Sequence, residues 1–246
     1  MEIEKVYMAR QPRFVLPGQP QHVIQRGNNR QAIFCSPNDY EYYLEKLLMA
    51  AKEYECHIHS YVLMTNHVHL LLTPLFENSI SKVMQVVGRY YVQYFNYHYH
   101  RTGTLWEGRY KASLIDTEHY LFRCMRYIEL NPVRARMVIH PSEYHWSSYR
   151  HNALGELNNL ITPHGEYERL GLTREDKFKC YQELFALDLE QVVIDEIREN
   201  TNKCWVLGNK EFKSIIEQKL NRKSAPSERG GDHKSLKYQE RRINRV

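Results

Sequence analysis

Apolar residues recur in two spacings along the first 136 residues, and these spacings predict the secondary structure. Short apolar runs bounded by turn residues, such as 56–64, are predicted to form strands. Longer segments with apolar residues three and four positions apart, such as 79–99, are predicted to form helices, because that spacing places them on one helical face. The predicted elements are strand 21–25, a helix from Ser36 or Asn38 to about Tyr54, strands 56–64 and 66–73, helix 79–99, strand 111–115 and helix 118–130.

This order of elements, β-α-β-β-α-β-α, predicts an antiparallel sheet backed by helices, of the α+β class. Beyond Arg136 the pattern changes, and the stretch 152–171 is irregular and rich in turn residues. Segments 172–189, 189–202 and 210–220 are predicted to be helices. We therefore divide the chain into a domain at 1–150, a mainly helical extension at 151–220 and a basic tail at 221–246.

The stretch Tyr61–Pro74 is predicted to form a β-hairpin whose second strand carries His67 and His69. Side chains two residues apart on a strand point to the same face, so these two imidazoles can hold one divalent metal ion. Two histidines with this spacing are also common as plain polar residues on a half-exposed strand. A third ligand and the reacting group must come from another part of the chain.

A second histidine pair, His57 and His59, competes for the metal. With a two-residue turn at 65–66, Met64 pairs with His67, so the even-numbered residues of the first strand share the face of His67. His57 and His59 are then predicted to lie on the opposite face, although a shift in register would reverse this. We favour the pair nearer the turn, because it lies at a rim of the sheet where a ligand can enter.

The helix after the last predicted strand supplies a candidate nucleophile. It is predicted to begin after Asp116 and Thr117 and to stop before Pro132, because the residue before proline avoids the helical region. Tyr127 and Asn131 are four residues apart and therefore lie on one helical face. Two histidines and an amide oxygen suit Mg²⁺ or Mn²⁺, and a positioned phenolate beside such an ion can attack phosphorus. The product would be a phosphotyrosyl bond to one DNA end and a free hydroxyl on the other.

Composition narrows the class of protein. The chain has 246 residues, 42% of them apolar, and a net charge of +5, which favours an anionic partner. Five cysteines without a CxxC spacing argue against a disulfide framework or a zinc knuckle. Neither an apolar run of about 18 residues nor an apolar signal segment is found, so we expect no membrane helix and a cytoplasmic location.

Aromatic and basic residues indicate a nucleic-acid partner. Nineteen tyrosines against eight phenylalanines offer flat rings that can stack on bases, although a polar-rimmed core would use them equally well. Trp106 lies in a basic loop and can either stack on a base or fill the core. The tail at 221–246 is expected to be disordered when free and to bind DNA, with a solubilising role as the alternative. The candidate DNA contacts are Arg26, Arg30, Arg89, Trp106, Arg109, Lys111, Arg222, Lys223, Arg241 and Arg242.

These motifs together resemble a known family. NHVHLLL at 66–72 resembles the histidine motif of the HUH endonucleases, and YIELNPVRA at 127–135 resembles the tyrosine helix of single-tyrosine transposases. The segments RQPRFVLPGQPQHVIQRGNNR at 10–30 and GTLWEGRYK at 103–111 are similar to the same family. With its basic C-terminal extension, the chain most resembles the REP-associated tyrosine transposases, bacterial relatives of insertion-sequence transposases.

The resemblance implies a ferredoxin-like HUH core with Tyr127 as nucleophile, His67 and His69 as metal ligands, and Asn131 as the third ligand. Insertion-sequence relatives have glutamine at the place of Asn131, and asparagine is typical of the REP-associated branch. The family cuts single-stranded DNA beside palindromic hairpins, leaving a 5′-phosphotyrosine and a 3′-hydroxyl. The resemblance further implies a monomer, with a homodimer as the alternative, acting on the bacterial nucleoid.

Two other functions remain open from the sequence. One is a non-catalytic protein that binds DNA hairpins through the same basic segments. The other is a zinc hydrolase, which would need a further acidic or histidine ligand and would form no covalent intermediate. The transposase-type mechanism requires the phenol of Tyr127 to lie over a cation held by His67 and His69. A buried Tyr127 ring, or a helix held far from the histidines with no hinge to bring it back, would overturn that mechanism.

Overall fold

The computed structural model describes residues 13–226 of the chain. Four strands form one antiparallel sheet in the spatial order β2-β3-β1-β4: β1 (Gln21–Arg26), β2 (Cys56–Met64), β3 (His67–Pro74) and β4 (Lys111–Leu114). Helix α1 (Pro37–Glu53) connects β1 to β2, and α2 (Ser79–His98) connects β3 to β4. This connectivity is the split β-α-β arrangement of a ferredoxin-like fold, so the predicted fold class is confirmed.

Helices α1 and α2 pack against each other and cover one face of the sheet. Leu47 of α1 and Val87 of α2 share an apolar core with the β3 residues Leu70 and Leu72, which alternate with His69 along the strand. The two helices therefore lie on the side of the sheet opposite to the predicted metal ligands.

The hairpin of β2 and β3 has the predicted register at its tip but not further along. Met64 lies opposite His67, as predicted. A β-bulge at His59 then shifts the pairing by one residue, so that His57 lies opposite Thr73 on the face that carries His67. The prediction that His57 and His59 lie on the opposite face is therefore wrong, because the alternation of faces is interrupted at a bulge.

The second histidine pair nevertheless does not belong to the candidate metal site. The ring of His59 contacts the hydroxyl of Thr73 and the carbonyl of Thr162, both at 2.7 Å. Both ring nitrogens are thus used to join β2 to its neighbours. Burial lowers the pKa of His59 to about 4, so the ring is neutral at pH 7.

The other face of the sheet is covered by α3 (Thr117–Glu129) and by helices of the C-terminal extension. Leu121, Met125 and Ile128 of α3 pack against Val62 and Leu71 of the sheet. The remaining helices are α4 (Asn131–Arg134), α5 (Tyr149–Leu154), α6 (Gly165–Glu168), α7 (Arg174–Glu183), α8 (Gln191–Lys203) and α9 (Lys210–Leu220). Helix α9 has the predicted bounds, whereas α7 is shorter than the predicted 172–189. None of the helices between residues 13 and 226 is long and apolar enough to cross a membrane.

A buried carboxylate joins α3 to the extension. Glu129 is fully buried and accepts hydrogen bonds from Ser60 of β2, Ser148, Asn152 of α5 and Tyr181 of α7. Burial raises the pKa of Glu129 to about 7, and these four donors oppose that rise. Residues on both sides of the predicted domain boundary at position 150 therefore belong to one hydrogen-bond network, which is centred on Glu129 of the tyrosine helix α3.

The predicted end of the tyrosine helix is confirmed, because α3 ends at Glu129, before Pro132. Pro132 is the second residue of the separate helix α4, where the missing N–H of proline has no intrahelical partner to lose. Residues 221–226, counted with the basic tail from the sequence, contact the preceding part of the fold: Ser224 is 1% exposed, and its carbonyl accepts the N–H of Val206 at 3.0 Å. The rest of the predicted tail lies outside the described residues.

Candidate active site

His67 and His69 lie side by side at the start of β3, with ring centroids 5.0 Å apart. Burial lowers the pKa of His67 to about 4, with a further contribution from Arg26, and lowers the pKa of His69 well below its ordinary value. Both rings are therefore neutral at pH 7. Neutral imidazole is the form that binds a metal ion.

Asn66 fixes which nitrogen of His67 is free. The Nδ2 group of Asn66 donates to the Arg30 carbonyl at 3.0 Å, so its Oδ1 is the atom 2.6 Å from Nδ1 of His67. Because an amide oxygen only accepts, Nδ1 of His67 must carry the hydrogen. The lone pair on Nε2 of His67 is left for a metal ion.

Hydrogen bonds between buried side chains determine which ring nitrogen of His69 is free. Its Nδ1 lies 2.9 Å from Nε2 of His22 on β1, and Nδ1 of His22 lies 2.8 Å from Oγ1 of Thr201 on α8. The rings of His22 and His69 are stacked, with centroids 5.1 Å apart. When both histidines donate along the chain toward Thr201, Nε2 of His69 is free to bind a metal. When the chain runs the other way, that nitrogen carries a hydrogen and cannot bind.

Sequence analysis did not identify His22 or Thr201. The strand that carries His22 was predicted, but its pairing with β3 was not inferred. The ferredoxin-like topology implied by the resemblance would have placed β1 beside β3, with His22 two residues from the partner of His69. Thr201 lies 179 residues from His22 and carries no local signal.

The ring of Tyr127 is adjacent to the histidines, as required, but it is buried. It meets the rings of His69 and His22 edge to face, with both centroid distances 5.7 Å. Only 3% of Tyr127 is exposed. The helix is therefore not held away from the histidines, but the ring is buried, which is one of the two conditions stated to overturn the transposase-type mechanism, and this conformation does not present Tyr127 to DNA.

Asn131 lies one helical turn beyond Tyr127, at the start of α4, and is 9% exposed. Its Nδ2 donates to the carbonyls of Tyr127 and Ile128 at 3.0 and 3.2 Å, so Oδ1 is the atom left to bind a cation. Within residues 13–226, Asn131 makes no hydrogen bond to His67 or His69.

The residues present suit a hard divalent metal better than structural zinc. In the part of the chain that the structure describes, no group of three or more His, Cys, Asp or Glu side chains is placed to hold a metal. A site on His67 and His69 must therefore be completed by an amide oxygen such as that of Asn131, or by water. Oxygen ligands beside imidazole suit Mg²⁺ or Mn²⁺. The zinc hydrolase, which needs a further acidic or histidine ligand, is correspondingly disfavoured.

A basic cleft opens beside the histidines. Arg26 lies opposite His67 in the pairing of β1 with β3. Arg26, Arg109 and Lys111 line this cleft together with Asn202 of α8. An adjoining hollow shares Arg109 and Lys111 and adds Arg13 and Lys203, two cations that sequence analysis did not single out.

The other predicted DNA contacts are not gathered in this cleft. Arg30 is exposed in the loop after β1, and Arg89 is exposed on α2, on the opposite side of the sheet from the histidines. Trp106 is 9% exposed and packs beside Tyr91 in the core under α1 and α2. The expectation that Trp106 stacks on a base is therefore wrong, and the alternative that it fills the core is correct, because the ring has little exposed surface.

The basic residues near the C-terminus fall into two groups. The Arg222 guanidinium lies 3.9 Å from the ring centroid of Phe14, in contact with the small core formed by Phe14, Leu114, Val206 and Ile216. Arg222 and Lys223 thus belong to the packed end of the chain. Arg241 and Arg242 lie outside the described residues.

The sheet places two neutral histidines on a central strand, and the helix-borne Tyr127 lies against them, which is the arrangement that the resemblance to single-tyrosine HUH enzymes predicts. Residues 18–131 match the family model described as "Transposase IS200 like". The match confirms the resemblance to IS200-like transposases over the segment that contains His22, His67, His69, Tyr127 and Asn131.

Comparison with other proteins adds little to this match. No curated protein matches the chain. Among solved structures it is similar to a REP-associated tyrosine transposase bound to a REP hairpin, with a TM-score of 0.49 and 17% identity over 64% of this chain and 93% of that one. It is also similar to a candidate transposase from Deinococcus radiodurans R1, with a TM-score of 0.36 and 20% identity over 49% and 96% of the two chains. The resemblance to IS200-like transposases therefore rests on the match over residues 18–131.

Proposed function

We propose that the protein is a metal-dependent single-stranded DNA endonuclease and strand transferase that acts at palindromic hairpins through Tyr127. The observation that carries this proposal is the contact of the Tyr127 ring with His69, beside a second histidine whose Nε2 is free. The hairpin substrate is taken from the resemblance to REP-associated transposases.

The proposed metal ligands are Nε2 of His67, Nε2 of His69 and Oδ1 of Asn131. A bound Mg²⁺ or Mn²⁺ would polarise the scissile phosphodiester and neutralise negative charge that develops on it. The chain's own contribution is to keep both histidines neutral through burial and to leave Nε2 of His67 without a hydrogen through Asn66. Nε2 of His69 is likewise free when Nδ1 of His69 donates to His22.

In the proposed step, Oη of Tyr127 forms a bond to phosphorus while the bond from phosphorus to the 3′ oxygen breaks. The phenol loses its proton and the 3′ oxygen gains one, so no net proton is released. The products are a strand joined to Tyr127 through its 5′ phosphate and a strand that ends in a 3′-hydroxyl. An incoming 3′-hydroxyl can reverse the step and join strands without ATP, because the phosphotyrosyl bond retains the energy of the phosphodiester.

We propose that DNA lies along the cleft lined by Arg26, Arg109 and Lys111, because phosphate contacts from Arg and Lys supply most of the affinity for a single strand. The protein would act as a monomer on nucleoid DNA, as the resemblance to REP-associated transposases implies. Binding of DNA must uncover the Tyr127 ring, which is 3% exposed.

Covalent capture of DNA tests this function. Oligonucleotides with the palindromic repeats that flank the gene are labelled at either end, incubated with protein and Mn²⁺, and separated under denaturing conditions. We expect the 3′-labelled fragment to migrate with the protein and the 5′-labelled fragment to be released. Tyr127→Phe should form no adduct while retaining hairpin binding. Absence of any adduct with the unmodified protein would refute the proposal.

A non-catalytic hairpin-binding protein is the second candidate function. The observation that favours it is the 3% exposure of Tyr127, which fits a core residue as well as a shielded nucleophile. This candidate predicts equal hairpin affinity for the unmodified protein and Tyr127→Phe, and no adduct from either.

A further inference from the structure

Arg134 is a partly buried cation that lies over the ring of the proposed nucleophile. Its guanidinium lies 4.4 Å from the centroid of the Tyr127 ring, and its Nη2 donates to the Tyr127 carbonyl. It follows Tyr127 by seven residues and closes the short helix α4. It lies beyond residue 131, where the match to the transposase family model ends.

The charge of Arg134 is not compensated in the structure. Its Nε and Nη1 atoms are buried and have no hydrogen-bond partner, and no Asp or Glu between residues 13 and 226 forms an ion pair with it. Leaving a charged group buried without partners is unfavourable for folding. Burial lowers the pKa of Arg134 to about 10, which still leaves it charged at pH 7.

We propose that Arg134 is a further catalytic residue of the strand cleavage proposed above, in which it binds the phosphate transferred to Tyr127. Guanidinium N–H groups are strong donors to phosphate oxygens. A phosphate at the phenol oxygen of Tyr127 would come next to the guanidinium that covers this ring. The inference rests on the proposed function, because it requires that Tyr127 receive a phosphate.

The proposed role of Arg134 follows from the positions at which negative charge develops during strand cleavage. As Oη of Tyr127 bonds to phosphorus, negative charge builds on the non-bridging oxygens and on the departing 3′ oxygen. Donors held in position before the reaction stabilise such charge without reorganising, and loss of one donor typically slows the step about 10²–10³-fold. The contact of Arg134 with the Tyr127 ring and carbonyl holds the guanidinium in place and leaves Nε and Nη1 for the phosphate.

The test is Arg134→Met, which keeps an unbranched side chain and removes the charge. Single-turnover formation of the protein–DNA adduct should slow about 10²–10³-fold, with hairpin affinity within a few-fold of the unmodified protein. The thermal midpoint should be unchanged or higher, because a partly buried cation without an acidic partner has been removed. Arg123→Met is the matched control: Arg123 is exposed on α3 and also stacks on a tyrosine, with its guanidinium 5.3 Å from the Tyr120 ring centroid. Its adduct formation should be normal.

A modified substrate identifies the phosphate as the group that Arg134 binds. The cleavage position is first mapped from the length of the released 5′-labelled fragment, and a methylphosphonate is then placed there. Removing one non-bridging oxygen charge should reduce the difference between the unmodified protein and Arg134→Met at least tenfold. A difference of the same size on both substrates would overturn the phosphate contact.

The outcomes separate this inference from the function on which it rests. An unmodified protein that forms no adduct would overturn both. Two outcomes would overturn the inference alone and assign Arg134 to packing. One is normal adduct formation by Arg134→Met. The other is that Arg134→Met loses both adduct formation and thermal midpoint, and that Arg134→Lys restores both together.

Discussion

The hydrogen-bond chain from His69 through His22 to Thr201 predicts that a residue on α8 controls metal affinity. Thr201→Val is the informative change, because valine has the shape of threonine and lacks the hydroxyl. Thr201 and His22 are both fully buried, so water cannot replace the lost acceptor without a rearrangement. The unpartnered Nδ1–H of His22 would then cost about 1–3 kcal/mol.

The expected response is a change of ring tautomer. Without Thr201 Oγ1, His22 avoids an unpartnered Nδ1–H by carrying its hydrogen on Nε2 and donating it to Nδ1 of His69. His69 then carries its own hydrogen on Nε2, and this arrangement must be reversed before the ring can bind a metal. Loss of partners behind a metal-ligating histidine typically weakens affinity 10–100-fold, which corresponds to about 1.4–2.8 kcal/mol.

Titration of the DNA-free protein with Mn²⁺, followed by electron paramagnetic resonance of the unbound ion, measures this affinity directly. Thr201→Ser retains a hydroxyl at the same position and should bind Mn²⁺ within a few-fold of the unmodified protein. Equal affinity for the unmodified protein and Thr201→Val would refute the proposed role of the chain. Failure of all three proteins to bind Mn²⁺ would refute the metal site itself.

Two further changes test electrostatic consequences of the fold. Because the pKa of His67 falls to about 4 on folding, the unfolded chain takes up a proton below pH 6.5 that the folded chain refuses, and stability declines as pH falls from 6.5 toward 4. Between pH 7 and 4.5, the free energy of unfolding measured with urea should fall by roughly 2–3 kcal/mol less in His67→Gln than in the unmodified protein. An equal fall in both proteins would contradict the effect of burial on the pKa of His67. Removal of residues 227–246 deletes six cations and leaves the packed segment 221–226 intact. The slope of log affinity against log salt should then decrease by up to roughly 4, and an unchanged slope would exclude the tail from DNA binding.

Much of the fold could be predicted from the sequence because each strand and helix has a strong local pattern. The bounds of α9 and the pairing of Met64 with His67 are set by residues close in sequence, and both were predicted. The bulge at His59 was not predicted, because the side chain of His59 contacts Thr73 and Thr162, which are distant in the sequence. Nothing in the local sequence indicates those partners.

In the candidate site, too, residues in short sequence motifs could be predicted, whereas residues brought in from distant parts of the chain could not. His67, His69 and Tyr127 belong to short motifs that the amino-acid sequence alone makes recognisable. His22 and Thr201 are brought to His69 by β1 and α8, which no spacing along the chain reveals. Arg134 lies within the recognised motif at 127–135, but its contact with the Tyr127 ring is visible only in the fold. Trp106 illustrates the reverse error, since a basic loop suggested an exposed ring that the fold places in the core.

The shielded position of Tyr127 has a consequence for selectivity. If only a small fraction of molecules has the phenol uncovered, the observed affinity for a strand is reduced by that fraction. A strand that cannot make enough contacts in the basic cleft would bind without gaining access to the nucleophile. Recognition and cutting would then be coupled, so that single strands exposed during replication could be bound in passing and left intact.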